Sequence, residues 1–113
     1  MAEAMLLGKP VIATNYSGNV DFMDEYNSMP VSYTLRKLGQ PIPPYDEESE
    51  WAEPSLEDAA HAMRRLFDNQ EWARELGRRG RASALDRLSL ERAGRKVAQR
   101  LEEIRAQRRR SVP

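Results

Sequence analysis

The hydrophobic pattern changes character three times along the chain. Ala2, Ala4, Met5, Leu6 and Leu7 are strong helix formers, Gly8 supplies the left-handed conformation that ends a helix, and Pro10 forbids its continuation. Val11-Ile12-Ala13 follows as an unbroken apolar run, the pattern of a parallel strand covered on both faces in an α/β layer fold. Residues 34–54 then lose all periodicity. Pro41, Pro43 and Pro44, with Asp46-Glu47-Glu48 and Glu50, predict one long loop, in which the adjacent acids are solvated and carry no catalytic role.

From Ser55 onward the period is helical. Ser55 is an N-cap with Asp58 three positions on, ahead of a stripe of Leu56, Ala59, Ala60, Met63, Leu66 and Phe67. His61 falls off that stripe and reads as a surface residue. Asn69 caps a second helix carrying Trp72 and Leu76, with Gly77 and Gly80 permitting close approach of a neighbour. Ser89 caps a third, whose stripe is Leu90, Val97, Leu101 and Ile104. These helices read as cover for the fold. The last stripe also fits a short heptad pattern, which leaves open a helical interaction module working through the Arg-rich half of the chain.

Glu3 is the one charged side chain among the first eight residues, so its carboxylate either faces solvent or accepts hydrogen bonds from a ligand. The helix that carries it has no N-cap of its own and no strand ahead of it, and the expectation is that an upstream part of the fold is missing. Farther on, a strand running through Ser17-Gly18 into a helix at Val20 would turn backbone N–H groups toward an anion, with Asn19 either beside that ligand or simply capping the helix.

Glu3-Ala4-Met5-Leu6-Leu7-Gly8-Lys9-Pro10-Val11-Ile12-Ala13, continued by Asn15-Tyr16-Ser17-Gly18-Asn19-Val20-Asp21-Phe22-Met23, resembles the donor-binding domain of family 4 glycosyltransferases with the two-domain GT-B fold. Asn27-Ser28-Met29-Pro30-Val31 is similar to that family's next strand. Trp51-Ala52-Glu53-Pro54 before a helix is similar to a subgroup with the Tyr-Ser-Gly-Asn turn, and the likeness fades toward Ile104. The resemblance implies a partial Rossmann-like domain over residues 1–107, α/β with parallel strands and a helical C-terminal cover, followed by a basic tail at 108–113.

It also implies transfer of a sugar from a nucleotide-sugar donor to an acceptor hydroxyl. Glu3 matches the glutamate that accepts hydrogen bonds from the donor ribose, and Ser17, Gly18 and Asn19 would lie near the donor cleft. The family's other glutamate, which touches the sugar, has no counterpart here, nor do the basic residues that hold the diphosphate or the acceptor domain. The chain is therefore expected to be inactive alone, either as a fragment of such an enzyme or as a non-catalytic remnant with an interaction role.

Composition narrows these expectations further. At 113 residues the chain has room for one core and not for two Rossmann-like domains. With no cysteine and one histidine it has neither disulfides nor the donors of a zinc site, and no metal or cofactor is expected. A cytoplasmic setting is the expectation, and no apolar run is long enough to form a membrane-crossing helix. Net charge is zero but segregated. Three basic against eleven acidic residues through Ala60 give −8, and fifteen against seven from His61 give +8. No aromatic residue interleaves with the arginines after Arg74, so nothing there stacks on bases and no specific nucleic-acid partner is expected. The partner expected instead is a nucleotide-sugar donor, together with self-association through an incomplete sheet.

Overall fold

The computed structural model describes residues 1–110, apart from the side chain of Arg110. It is mixed α/β: helix α1 (Ala2–Leu6), strand β1 (Ile12–Thr14), a 3-10 helix (Ser17–Asp21), β2 (Met29–Val31), β3 (Tyr33–Lys37), β4 (Glu50–Pro54), then α2 (Leu56–Asp68), α3 (Gln70–Arg87) and α4 (Leu90–Arg110). β1 and β2 pair in parallel, Ala13 opposite Pro30. β3 and β4 form a separate antiparallel hairpin, with Leu35 opposite Ala52.

The first turn forms as its residues demand. Gly8 has φ +69, and its N–H closes on the Met5 carbonyl at 2.8 Å while the Lys9 N–H reaches Ala4 O at 2.9 Å. Arg81 of α3 adds its Nε–H to Leu6 O at 3.1 Å, so a freed carbonyl at the end of α1 has a partner. α3 buries a face of small residues, Ala73, Gly77, Gly80 and Ala84, around Leu76. That face lets α1 and the Gly8–Pro10 turn come down onto its backbone. Met5, Val11, Met23 and Ala84 form the core cluster, with Ala4, Ala13 and Phe22 against it. Between the 3-10 helix and β2, buried Asn27 donates to Phe22 O at 3.0 Å and accepts from the Asp24 N–H at 2.9 Å. Asp24 is paired in turn to Arg87 of α3 at 3.0 Å.

All three predicted caps are present: Ser55 Oγ accepts from Asp58 N at 3.2 Å, Asn69 Oδ1 from Trp72 N at 3.0 Å, and Ser89 Oγ from Arg92 N at 3.2 Å.

Several expectations need correction. The stretch 34–54 is not one long loop; a loop of residues 38–49 joins two paired strands. Both faces of this hairpin are largely exposed, so its strands carry no apolar alternation, and the backbone ladder holds it instead, with Lys37 at its end paired to Glu48 of the loop. No α-helix starts at Val20. Asn19 lies within the 3-10 helix and turns its amide back to Thr14 O at 2.9 Å rather than capping. β1 is only half-buried, because a two-stranded sheet cannot be covered as a wide one is. Arg108 to Arg110 of the expected basic tail continue α4; Ser111 to Pro113 lie outside the described residues.

The α2 stripe is also turned. The buried residue is Ala62, flanked by half-buried Ala59 and Leu66, while Leu56 is 82% and Phe67 71% exposed. α4 makes no extensive contact with any other element, and Leu90, Val97 and Leu101 remain exposed.

Candidate functional site

A cleft of about 580 Å³ opens between the carboxyl end of β1 and the β3–β4 hairpin. Ala13, Thr14, Tyr16 and Asn19 form one wall, Leu38, Ser49, Glu50, Trp51 and Ala52 the other, with Tyr45 and Met1 at its edges. Its size is that of a small-molecule site, and its place beyond the carboxyl end of a parallel strand is where open α/β sheets hold ligands.

The wall that continues β1 is fixed by local backbone. Asn15 N–H extends the parallel ladder to Val31 O at 2.8 Å, after which Tyr16 N–H turns back to Thr14 O at 2.8 Å. Ser17 then adopts φ +67, a left-handed conformation that costs a non-glycine residue about 1–3 kcal/mol and persists only where its surroundings impose it. Here the imposing contacts are the Asn19 amide on Thr14 O and the Phe22 and Met23 N–H groups on Asn19 O, at 3.1 and 2.8 Å. Tyr16 is held by Tyr33 of β3, ring centroids 5.0 Å apart in an edge-on arrangement, which ties the two walls together. Ser32, at the root of the hairpin, donates its hydroxyl to the Asp58 carboxylate. That hydroxyl and the Ser32 N–H hold the Asp58 carboxyl below its ordinary 3.8.

The lining suits a ring-bearing, largely uncharged part of a ligand. Tyr16, Tyr45 and Trp51 offer aromatic surface, Thr14, Asn19 and Ser49 offer short polar groups, and Glu50 is the single charged side chain lining it. No Lys or Arg lines the cleft, so it has no side-chain cation for a diphosphate. Among the described residues, no group of acidic or histidine side chains is arranged to hold a metal ion.

The sequence-predicted residues separate. Asn19 lines the cleft, whereas Ser17 and Gly18 do not. Glu3 does not line it either: its carboxylate is 88% exposed and lies 3.4 Å from the amino group of Met1, which does. The Glu3 carboxyl is held below its ordinary 4.5, first by its own backbone N–H and then by the Met1 ammonium. His61 is exposed on α2, as its position off the apolar stripe predicts. Sequence reasoning missed Trp51 and Tyr45 as lining residues. The one signal available was two aromatics flanking the acidic run Asp46 to Glu50.

No family model, curated protein or solved structure matches the chain. No helix among the described residues is long and apolar enough to cross a membrane.

Proposed function

We propose that the chain is the C-terminal part of a Rossmann-like, nucleotide-sugar-binding domain of a GT-B glycosyltransferase, inactive alone. In the complete enzyme it would take part in moving a sugar from its nucleotide to an acceptor hydroxyl. The observation that carries this reading is the cleft at the carboxyl end of β1, reached by the segment Glu3–Met23 whose residues resemble the family 4 donor site. In this reading the donor extends past the edge of the cleft at Met1 so that its ribose meets Glu3, Asn19 borders the cleft, and Ser17 and Gly18 shape the turn beneath it. The cysteine-free composition fits a cytoplasmic setting. The lack of a lining Lys or Arg side chain fits a half-site that holds rings and leaves the diphosphate to residues outside this chain.

The test is a titration of the chain with UDP-glucose and GDP-mannose followed by amide and indole resonances, with product release assayed in parallel. Saturable shifts at Thr14, Asn19 and Trp51 without turnover are expected. Silence of these residues at tens of millimolar donor overturns the site, and turnover overturns the claim of inactivity.

A second reading, a helical interaction module, is favoured by one observation: Leu90 of α4 is 92% and Val97 59% exposed on a helix that makes no extensive contact with any other described element. If Val97→Glu and Leu101→Glu leave donor titration intact but abolish association with another chain, both readings hold on different faces of the molecule.

A further inference from the structure

A second cavity, about 370 Å³, lies at the opposite end of the parallel pair, where β2 begins, and nothing in the donor reading uses it. Arg65 of α2 and Arg79 and Trp72 of α3 line it, together with Ser28, Met29 and Glu25. We infer that this cavity binds a small tetrahedral oxyanion, phosphate or the phosphate group of a small monoester, between the two guanidinium groups.

The first support is that both guanidinium groups are held by rings. The Arg65 Cζ lies 4.1 Å from the Trp72 ring centroid, and the Arg79 Cζ lies 5.0 Å from that of Tyr26. A guanidinium resting on an aromatic face keeps its N–H donors free at the edge, and the restricted side chain loses less entropy on gripping a ligand. The second support is that donors remain to be used. Arg79 Nε is buried without a hydrogen-bond partner; the nearest carboxylate oxygen, Glu75 Oε1, is 3.7 Å away, and the other oxygen of Glu75 pairs with Arg78. Asp68, the acid one turn from Arg64, lies toward Arg64 at 4.0 Å, and among the described residues no carboxylate pairs with Arg65.

Charge and size set the ligand class. Arg65 and Arg79 face one lining carboxylate, Glu25; Glu75, beside Arg79 but outside the lining, is shared with Arg78, so the three arginines exceed the two acids by one positive charge. The hydroxyl of Ser28 donates to Asp24 O at 2.7 Å, so the anion is gripped by the arginines rather than by a hydroxyl. Guanidinium forks match the oxygen spacing of phosphate and carboxylate, and a phosphate has oxygens enough for two forks where one carboxylate serves only one. The volume is at the small end of ligand sites, room for a phosphate with a short organic stem and not for a nucleotide.

The probes are sodium phosphate and glycerol 3-phosphate, titrated into the intact chain against sodium chloride at equal ionic strength. The readouts are the arginine Nε–Hε resonances of Arg65 and Arg79 and the Trp72 indole. Saturable shifts at these groups with half-saturation on the order of 1 mM are expected, and each of Arg65→Gln and Arg79→Gln should weaken binding by about tenfold or more. If Arg79→Gln fails to fold, the exposed Arg65 supplies the decisive variants. Arg65→Lys, which keeps the charge and loses the fork, should bind several-fold more weakly than the unmodified chain. Tighter binding of the ester than of free phosphate assigns the site to a phosphorylated metabolite, and equal binding assigns it to free phosphate. Equal shifts from chloride, or unchanged affinity in both Arg65 variants, overturns the inference.

Discussion

Replacing Gly77 by alanine tests the contact on which the rest of the fold is assembled. A Cβ at this position of α3 would stand 2.1 Å from Gly8 O, 2.9 Å from Gly8 C and 3.3 Å from Pro10 N. Ordinary contact begins at 3.4 Å, so the gap to Gly8 O has to open by about 1.3 Å. None of the three atoms belongs to a flexible side chain. Gly8 is fixed by φ +69 and by its N–H bond to Met5 O at 2.8 Å, so α3 itself must lift. Lifting it separates Leu76 from α1 and Met5 from Gly80, where Met5 Cε already lies 3.6 Å from the position of a Cβ. Overpacking of this kind costs up to about 3 kcal/mol, and alanine returns about 1 kcal/mol of helix propensity, leaving a net loss of about 2 kcal/mol.

For a chain of this size that loss lowers the midpoint of thermal unfolding by about 8–16 °C. Gly94→Ala is the internal control. It makes the same change in α4, where a Cβ meets nothing within 4 Å, and it should strengthen its helix by about 1 kcal/mol. Urea and thermal unfolding followed at 222 nm compare the two. A Gly77→Ala chain as stable as the parent would refute the close packing of α3 on the Gly8–Pro10 turn, and with it the placement of the cleft wall that β1 carries.

Stability should also depend on Asp58. Its carboxyl is held low in the folded chain, so the stabilisation is present above the ordinary value of 3.8 and is lost as pH falls through the lower folded value. The stability difference between the parent and Asp58→Asn should thus be flat from pH 5 to 7 and vanish in stronger acid. In a complete parent enzyme, Glu3→Ala should weaken donor binding by about ten- to a hundredfold with the fold intact, and Glu3→Gln by less. Unchanged donor affinity would remove Glu3 from the site. The chain should self-associate, because β1 has one unpaired edge among the described strands; a monomer at several hundred micromolar by sedimentation would count against this. DNA and RNA should bind the Arg-rich half weakly, without sequence preference, and release as salt is raised; selective binding at physiological salt would overturn that expectation.

Local chemistry was readable from the chain and long-range coverage was not. Ser55, Asn69 and Ser89 act within three residues of themselves, so their caps could be placed from sequence. Gly8 before Pro10 is equally local. Gly77 and Gly80 announced a close neighbour, though not that it would be the turn after α1 and the Asn27 carbonyl. What failed depended on partners. The α2 stripe was read as its buried face, but α2 meets β1, β2 and α3 through Ala59, Ala62 and Leu66, and the narrow sheet leaves Leu56, Met63 and Phe67 uncovered. The hairpin was missed because two exposed five-residue strands held by each other leave no apolar alternation to read. Of the cleft lining, Asn19 was reachable from sequence because it lies in the short turn that follows β1. Trp51 and Tyr45 reach the cleft only through the pairing of β4 with β3, which no local pattern encodes.

The charge segregation has a consequence that the folded chain leaves unspent. Most ion pairs are local, such as Arg95 with Glu91 and Arg100 with Glu103, and among the described residues Arg87 to Asp24 is the one ion pair that joins the acidic first half to the basic second half. The molecule is also long, with extents of 65 × 40 × 19 Å and a radius of gyration of 19.1 Å, against about 13 Å for a compact chain of similar length. Charges of −8 and +8 are thus held apart rather than neutralised on contact. Two attractions between copies follow, with opposite salt dependence. End-to-end attraction of unlike charge weakens as the Debye length shrinks to about 8 Å at physiological ionic strength, whereas association through the apolar stripe of α4 or the open edge of β1 does not. Association that persists at 0.5 M salt and disappears with Val97→Glu and Leu101→Glu belongs to α4. If it survives both changes it belongs to the sheet edge, and if salt alone dissolves it the segregated charge is its cause.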